Sequence, residues 1–510
     1  MEEIFSKADL IQLQGKGISL QKGEELIRFF KKEIPTIILE KSATIGDGIL
    51  IFSDEERSKL CLFFDEQKEH KIIQKFVPAS GAATRMFKFL TRFLSEYDLS
   101  KRSINAYLNH KKNHQLKIFL LGKKRFSFYD EINKKLIKII PNYEHLNKNE
   151  KDYLFIKTML SSEYFDFANK PKGILPFHIK NNKTTTPVEE HILESDFYRV
   201  SGIKNKIHFT ISKEHQHYFK KITNKFKFVD VSFSYQNKST DTLAVNLDNT
   251  PYRQQDGSLL FRPGGHGALI ENLNQLEADI VFIKNIDNVS QNNIHEIVTY
   301  KKVLGGLLLQ RQKEIFTHLQ LLENNKIDEF QLNQIKDFVL QKLNIRLPIN
   351  FEKFQIQYKI ETLFNELNRP IRVCGMVKNE GEPGGGPFWV KQQNGLSSLQ
   401  IVETAQISLI DEVQKKIVNQ ATHFNPVNLV CGIKDYKNNK FNLINFVDDN
   451  TGFVVEKSNR GAVLKSYELP GLWNGAMANW ISIFVEVPLS TFDPVKTVND
   501  LLKQAHQPQE

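Results

Sequence analysis

Three runs of side chains in this 510-residue chain have the types and spacing that phosphate chemistry needs. The first is Pro78-Ala-Ser-Gly-Ala-Ala-Thr-Arg-Met86. Its small residues Ala79, Ser80, Gly81, Ala82, Ala83 and Thr84 allow backbone N–H groups to close on an anion. A helix start beyond them adds a favourable field, and Arg85 supplies a fixed positive charge. The phosphate fingerprints GxxxxGKS/T and GxGxxG are both absent, so a plain structural turn stands as the alternative. The second run is Arg262-Pro-Gly-Gly-His-Gly-Ala-Leu-Ile270 followed by Ile280-Val-Phe-Ile-Lys-Asn-Ile-Asp-Asn288. Gly264, Gly265 and Gly267 permit close backbone approach to a flat ligand, and His266 can donate to a phosphate or hydroxyl. Asp287 ends an apolar strand, where open α/β sheets place ligands and where a hard cation finds an oxygen donor. A glycine turn followed by an Asp-Asn turn is the competing reading.

The third run, Arg372-Val-Cys-Gly-Met-Val-Lys-Asn-Glu-Gly-Glu-Pro-Gly-Gly-Gly-Pro-Phe-Trp-Val390, leads from a strand into Gly384, Gly385 and Gly386 and then Phe388 and Trp389. It reads as a site-lining lid or as a tight connection with a packed Trp, and the lid is preferred because so many glycines usually admit a close neighbour. Cys374 sits in an apolar strand pattern and is expected to be buried. His208, His215 and His217 cluster without a zinc spacing. Glu189, Glu190 and His191 follow Thr186-Pro187 as helix-start chemistry. Asp448 and Asp449 offer either a second carboxylate for a metal or an Asx turn.

The elements that must position these residues follow from periodicity. Residues 1–70 read as a helical N-terminal region, with Ser53 opening an acidic first turn. Ile72–Val77 reads as a buried strand, and Met86, Leu90, Phe93, Leu94 and Tyr97 form the stripe of a helix. Residues 100–170, Lys-rich and aromatic-rich, read as a helical insertion. Further strands are expected at 207–211, 228–235, 280–283, 371–377 and 442–447, and helices within 291–345, which gives an α/β chain with a parallel or mixed sheet. With 40% hydrophobic and 25% charged residues, collagen-like, coiled-coil and disordered classes are excluded. Three cysteines are too few for a disulfide framework. The absence of a signal-like or membrane-spanning stretch points to a cytoplasmic protein without a membrane partner. The net charge of +10 favours anionic partners; it is spread along the chain, so nucleic acid is not expected to be one.

In order along the chain, these motifs resemble those of the UTP–glucose-1-phosphate uridylyltransferase, or UDP-sugar pyrophosphorylase, family of sugar nucleotidyltransferases. The loop around Gly81 resembles LAAGxGTRM, with Ala83 at its last glycine. Gly264-Gly-His-Gly267 and the 282–288 segment resemble PPGHGD and NIDN, with Ala268 at the final Asp. Lys172-Gly-Ile-Leu-Pro-Phe177 resembles the lysine segment, Ser234-Tyr-Gln236 the FxQ strand, Val402-Glu-Thr-Ala-Gln-Ile407 the E-x-AQ segment, and Phe492–Leu502 the FLPVKTxxDLL segment. The whole chain is also similar to an uncharacterised family, a domain of unknown function, through PASGAATRM, RPGGHGALI and GEPGGGPFWV.

The resemblance implies a nucleotidyltransferase fold, a glycosyltransferase-A-like, Rossmann-like mixed sheet with flanking helices, over residues 71–502, followed by a polar tail at 503–510. It implies that Gly81 to Arg85 hold a nucleoside triphosphate, UTP favoured, and that Gln236 and Gly265 read the base. His266 would lie near phosphate or sugar, Asn285 and Glu403 would contact sugar, and Asp287 would hold Mg²⁺. Lys172 and Lys496 would neutralise phosphates, which requires the 100–170 insertion to return its end to the glycine loop. The implied reaction joins the triphosphate to a sugar 1-phosphate with loss of pyrophosphate. The alternative is a non-catalytic nucleotide or nucleotide-sugar binding protein.

Overall fold

The computed structural model describes residues 4–31, 36–324, 327–381, 384–392, 394–459 and 462–509. The chain divides into two compact units, each assembled from three separated segments. The first comprises Met1–Gln74, Ser234–Ile283 and Tyr300–Val487; the second comprises Lys75–Phe233, Lys284–Thr299 and Pro488–Glu510.

The first unit contains a mixed run of strands in the order Thr44–Ile45, Gly48–Leu50, Ile481–Glu486, Ile371–Lys378, His423–Gly432, Ile280–Ile283. Ile371–Lys378 pairs in parallel with Ile481–Glu486 and antiparallel with His423–Gly432. These strands are mostly apolar and almost wholly buried, as expected of sheet interiors covered on both faces. Cys374 is buried, and desolvation pushes its thiol up to about 11, an inert core side chain as the pattern predicts. Helix Asp54–Gln67 starts with a reciprocal capping box between Ser53 and Glu56. It meets helix Ile294–Glu323 at Gly305 and Gly306, where added Cβ atoms would fall 2.6 Å from the Phe64 ring and 2.1 Å from the Leu60 carbonyl oxygen.

Two smaller antiparallel sheets complete this unit: Leu39–Ser42 with Gly385–Lys391 and Ser397–Glu403, and Phe261–Arg262 with Thr242–Val245, Ala462–Glu468 and Phe453–Asn459. The N-terminal region is therefore not purely helical, since residues 39–50 form strands. The expected lid is not found either. Gly385–Lys391 is a strand, Phe388 and Trp389 are buried, and Trp389 donates its indole N–H to Asp47 at 3.1 Å beneath the Arg346 guanidinium. The aromatics are core; residues 382–383 of this run lie outside the described ones. The strand expected at 442–447 is a 3-10 turn, Leu443–Phe446. Asn274 accepts the Leu443 N–H at 2.9 Å, and Phe441 and Phe446 pack edge to face, contacts that a two-residue alternation does not produce.

In the second unit the strands Ile73–Pro78, Asn205–Thr210 and Val229–Ser234 are neighbours in that order. The insertion is helical, as expected: Ile104–Lys111, His114–Gly122, Tyr129–Ile139 and Lys148–Leu160 pack with Lys88–Glu96. Its aromatic richness has a packing cause. Phe93, Tyr97, Tyr107, Phe119, Phe126, Phe128 and Phe155 form one core of ring contacts, joined by Val495, Val498 and Leu501 from the end of the chain. His506, in the segment read as a tail, is buried with its Nδ1 2.9 Å from His178 Nε2.

Candidate functional site

The small-residue loop begins where strand Ile73–Pro78 ends, and Ala79 donates its N–H to Thr210 O at 2.8 Å. The loop then runs antiparallel to residues 170–172: Ala83 N–H donates to Lys170 O at 2.9 Å and Lys172 N–H to Gly81 O at 3.2 Å. The long helical insertion thus returns its last residues to the loop from which it departs. Gly81, Ala82, Thr84 and Arg85 are exposed, and the N–H groups of Gly81 and Ala82 have no acceptor among the described residues, the condition for an anion-facing backbone. Ala83 has no positive φ and its methyl group is fully buried, so the alanine at this position distorts nothing.

Lys172 opens a short 3-10 turn and reaches two groups. Its ammonium lies 2.7 Å from Asp287 Oδ2 and donates to Val495 O at 2.8 Å. Val495 N–H in turn donates to Asp287 O at 3.1 Å. Both side chains are partly exposed, 15% for Lys172 and 21% for Asp287. Lys496 follows Val495, is exposed, and crosses the Phe492 ring at 6.0 Å. Gly81, Lys172, Asp287 and the backbone of Val495 are therefore brought into one constellation, although they come from four distant parts of the sequence. Asp287 Oδ1 has no partner among the described residues. Among those residues no three His, Cys, Asp or Glu side chains group as a metal cage would.

Beneath this constellation lies a buried ionic layer that sequence reasoning missed. Glu194, on helix Pro187–Asp196, accepts from Lys75 at 2.6 Å and from Lys284 at 2.7 Å, with both ammonium groups fully buried. His191, one turn earlier, places Nε2 3.2 Å from the carbonyl oxygens of Asn285 and Ile286, fixing the backbone that carries Asp287. Thr186 and Glu189 form the expected capping box, whereas Glu190 does more than cap: it is buried against His178. The available signal was a lysine inside each apolar strand pattern, Lys75 between Ile73 and Val77 and Lys284 after Ile283, because a buried lysine needs a carboxylate. His208 is buried and stacked on Phe76, its Nδ1 is 2.8 Å from Ser232 Oγ, and desolvation lowers its pKa to about 4. It is a core histidine.

The other expected site residues lie on the first unit. Gly264 and Gly267 are demanded by protein packing rather than by an open face. A Cβ at Gly264 would lie 2.3 Å from Thr240 O, and one at Gly267 1.9 Å from Pro470 O. Gly265 has φ +81, a conformation that favours glycine. His266 packs edge-on against Trp473 at 4.1 Å, and burial lowers its pKa to about 4, so the imidazole is neutral near pH 7. Ala268 is buried. Gln236 donates to Thr240 Oγ1 at 3.3 Å, just beyond strand Val229–Ser234. Glu403, at the end of Ser397–Glu403, accepts from Asn425 at 3.0 Å and Asn474 at 3.4 Å. Asp448 caps Asn450 N–H at 3.1 Å, which is the Asx turn.

This is an α/β protein whose mixed sheets carry an exposed small-residue loop beside a lysine–carboxylate pair. The family described as a domain of unknown function, DUF4301, matches residues 6–507, and the chain belongs to it. Solved structures with a similar backbone include a uridine diphosphate N-acetylglucosamine pyrophosphorylase from Trypanosoma brucei, 11% identical, with a TM-score of 0.49 over 98% of this chain and 79% of that one. A UDP-glucose phosphorylase from the same organism is 13% identical, with a TM-score of 0.47 over 98% and 80% of the two chains. For the UDP-glucose pyrophosphorylase from Leishmania major the values are 14%, 0.43, 97% and 78%. Among curated proteins, the catalytic subunit PAN2 of the PAN2-PAN3 deadenylation complex from Candida albicans is 22% identical over 297 residues, 55% of this chain. The match spans 23% of that relative's length. No helix among the described residues is long and apolar enough to cross a membrane.

Proposed function

We propose that this protein is a cytoplasmic sugar-1-phosphate nucleotidyltransferase that joins a nucleoside triphosphate, UTP by preference, to a sugar 1-phosphate and releases pyrophosphate. The observation that carries the reading is the convergence of Lys172, Asp287 and Val495 beside the Gly81 carbonyl, since the ordered motifs required Lys172 and the Val495-Lys496 segment at the same loop. In such a transfer an oxygen of the sugar phosphate attacks the α-phosphorus in line and the β-phosphate oxygen leaves. Positioning and charge neutralisation therefore supply the catalysis, and no nucleophilic side chain is needed.

The roles follow from chemistry and place. The Gly81 and Ala82 N–H groups and Arg85 bind the triphosphate. Lys172 shields charge on the reacting phosphates, and Lys496 does so from the adjoining segment. The single open oxygen of Asp287 suits Mg²⁺, which takes one or two protein carboxylates and completes its shell with phosphate oxygens and water. When bound, the ion would supply Lewis-acid polarisation of the phosphates. Asn285, in the same unit as Lys172 and Asp287, is the candidate sugar contact. The second reading, a non-catalytic nucleotide or nucleotide-sugar binder, is favoured by one observation: Lys172 and Asp287 already satisfy each other.

One assay separates them. Purified protein is incubated with UTP and either glucose 1-phosphate or N-acetylglucosamine 1-phosphate, with and without Mg²⁺, and pyrophosphate is measured. Mg²⁺-dependent release is the expected result. Stabilisation by UTP or a UDP-sugar without release selects the binder, and neither effect rejects both readings.

A further inference from the structure

One cavity in the first unit is lined by side-chain amides and hydroxyls together with an apolar wall that includes Ile37, Ile38, Ile401 and Val402, and by few charges. Its main chamber, open to solvent on one side, holds roughly 700 Å³ and is lined from strands Gly385–Lys391 and Ser397–Glu403 and by Gly475, Ala478 and Asn479. A smaller chamber of roughly 200 Å³ shares Gln392, Asn394, Gln400, Ala478 and Asn479 with it. The two adjoin at these residues.

The amides are fixed by the protein at one end and open at the other. Gln400 donates to Ala478 O at 2.8 Å and to Ser398 Oγ at 2.9 Å, and Gln392 donates to the same hydroxyl at 2.9 Å. All three bonds use the NH₂ groups, and the carbonyl oxygens of Gln392 and Gln400 have no donor among the described residues. The side chain of Asn479 has no partner there either, and Asn479 is exposed. In the smaller chamber Trp480 is 3% exposed, yet its indole N–H is buried without an acceptor. Native proteins seldom leave such a donor unmet.

The lining also excludes ligand classes. In the main chamber the charged side chains are Lys391 and Asp448, the latter occupied by its turn with Asn450. In the smaller one Arg346 is paired with Glu40 at 2.9 Å and Arg369 with Glu366 at 2.7 Å. The Lys391 ammonium alone is left over among the described residues, exposed at the edge and without the clustered donors of a phosphate site. The main chamber has no aromatic lining among the described residues on which a base could stack. Fixed amide oxygens and N–H groups, with a single exposed cation at the edge, are the pattern that recognises hydroxyls. Glu403 is not among the lining residues, so the cavity is not built on the side chain that the motif resemblance gives to the sugar.

We infer that the cavity is a second, phosphate-independent site for an uncharged polyhydroxylated ring, a free saccharide or a cyclitol. Saturation-transfer NMR and calorimetry on the full chain, with N-acetylglucosamine, glucose and myo-inositol as probes, are expected to show binding of at least one. Asn479→Trp fills the shared region from an exposed position and is expected to weaken that binding at least about tenfold with unchanged melting temperature; Gln392→Leu, which removes one acceptor, should weaken it several-fold. Asp287→Asn should leave it intact, which keeps the result independent of the nucleotidyltransferase reading. The inference is overturned if none of the probes binds, if both cavity variants bind like the parent protein, or if Asp287→Asn abolishes binding.

Discussion

Lys172 and Asp287 are 2.7 Å apart, and what each does for the other differs from what each does for a phosphate. If they serve phosphate transfer, Lys172→Ala and Asp287→Asn should each lower kcat/KM for pyrophosphate release by about a hundredfold or more, roughly 3 kcal/mol of transition-state stabilisation. Both are partly exposed, so thermal stability should change little. A pair that were only structural would show the reverse, a fall in melting temperature with kinetics preserved. Titration gives a second test. His208 has a pKa near 4 in the folded chain against 6.5 as its ordinary value. Between those values the unfolded chain binds a proton that the folded chain refuses. Stability is therefore complete above about pH 6.5 and is lost as the pH falls toward 4, on the order of 3 kcal/mol from this residue alone. Urea midpoints at about pH 7.5 and pH 4.5 should differ less in His208→Phe than in the parent protein. The meeting of Lys172, Asp287 and the 495–496 segment was anticipated through the motif resemblance, and Arg85 was singled out by its place beside a loop of small residues. His191 and Glu194 were not, because a buried carboxylate within a helix reads like any other acidic helix residue until its lysines are known.

Between elements, close approach decides two outcomes. Gly306 lies in a long helix, where alanine would ordinarily stabilise by about 1 kcal/mol. Here its Cβ would fall 2.1 Å from the Leu60 carbonyl oxygen of the neighbouring helix, a backbone atom that cannot move alone. Gly306→Ala is therefore expected to destabilise by about 1–3 kcal/mol, seen as a lower denaturant midpoint with an unchanged slope. Glu194 joins Lys75, on the strand before the small-residue loop, to Lys284, on the segment that carries Asp287. Glu194→Gln would leave two buried ammonium groups without that carboxylate, a loss of about 3–5 kcal/mol in denaturant unfolding. The 371–390 run shows where pattern reading stops. Its strand was legible from apolar periodicity, but the glycines that suggested a lid admit protein instead: a Cβ at Gly385 would lie 2.1 Å from Val402 O. Composition shows that something approaches closely; only the fold shows what.

Across the whole molecule, the second unit is closed by the end of the chain. Val495, Val498 and Leu501 are almost wholly buried in the aromatic core of the helical insertion, and Val495 supplies the carbonyl that holds Lys172. A chain ending at Val487 should lose on the order of 5 kcal/mol or more from these three side chains. Selective loss of the second unit's structure is expected, read as rapid amide exchange over 88–160 while strand Ile371–Lys378 stays protected. Retained protection over 88–160 would show that the helical core is complete without its C-terminal contribution.

Sequence by itself determined part of the element pattern, because periodicity and capping are local: the Ser53 and Thr186 helix starts, the helical insertion, and the strands at 73–78, 205–210, 229–234, 280–283 and 371–378. What it left open was assembly. That residues 170–172 return to the loop at 81–83, that Glu194 neutralises two lysines, and that Trp389 is core rather than lid all depend on contacts between residues far apart in the chain. Such contacts leave no periodic trace in a single sequence, and only the tertiary structure decides them.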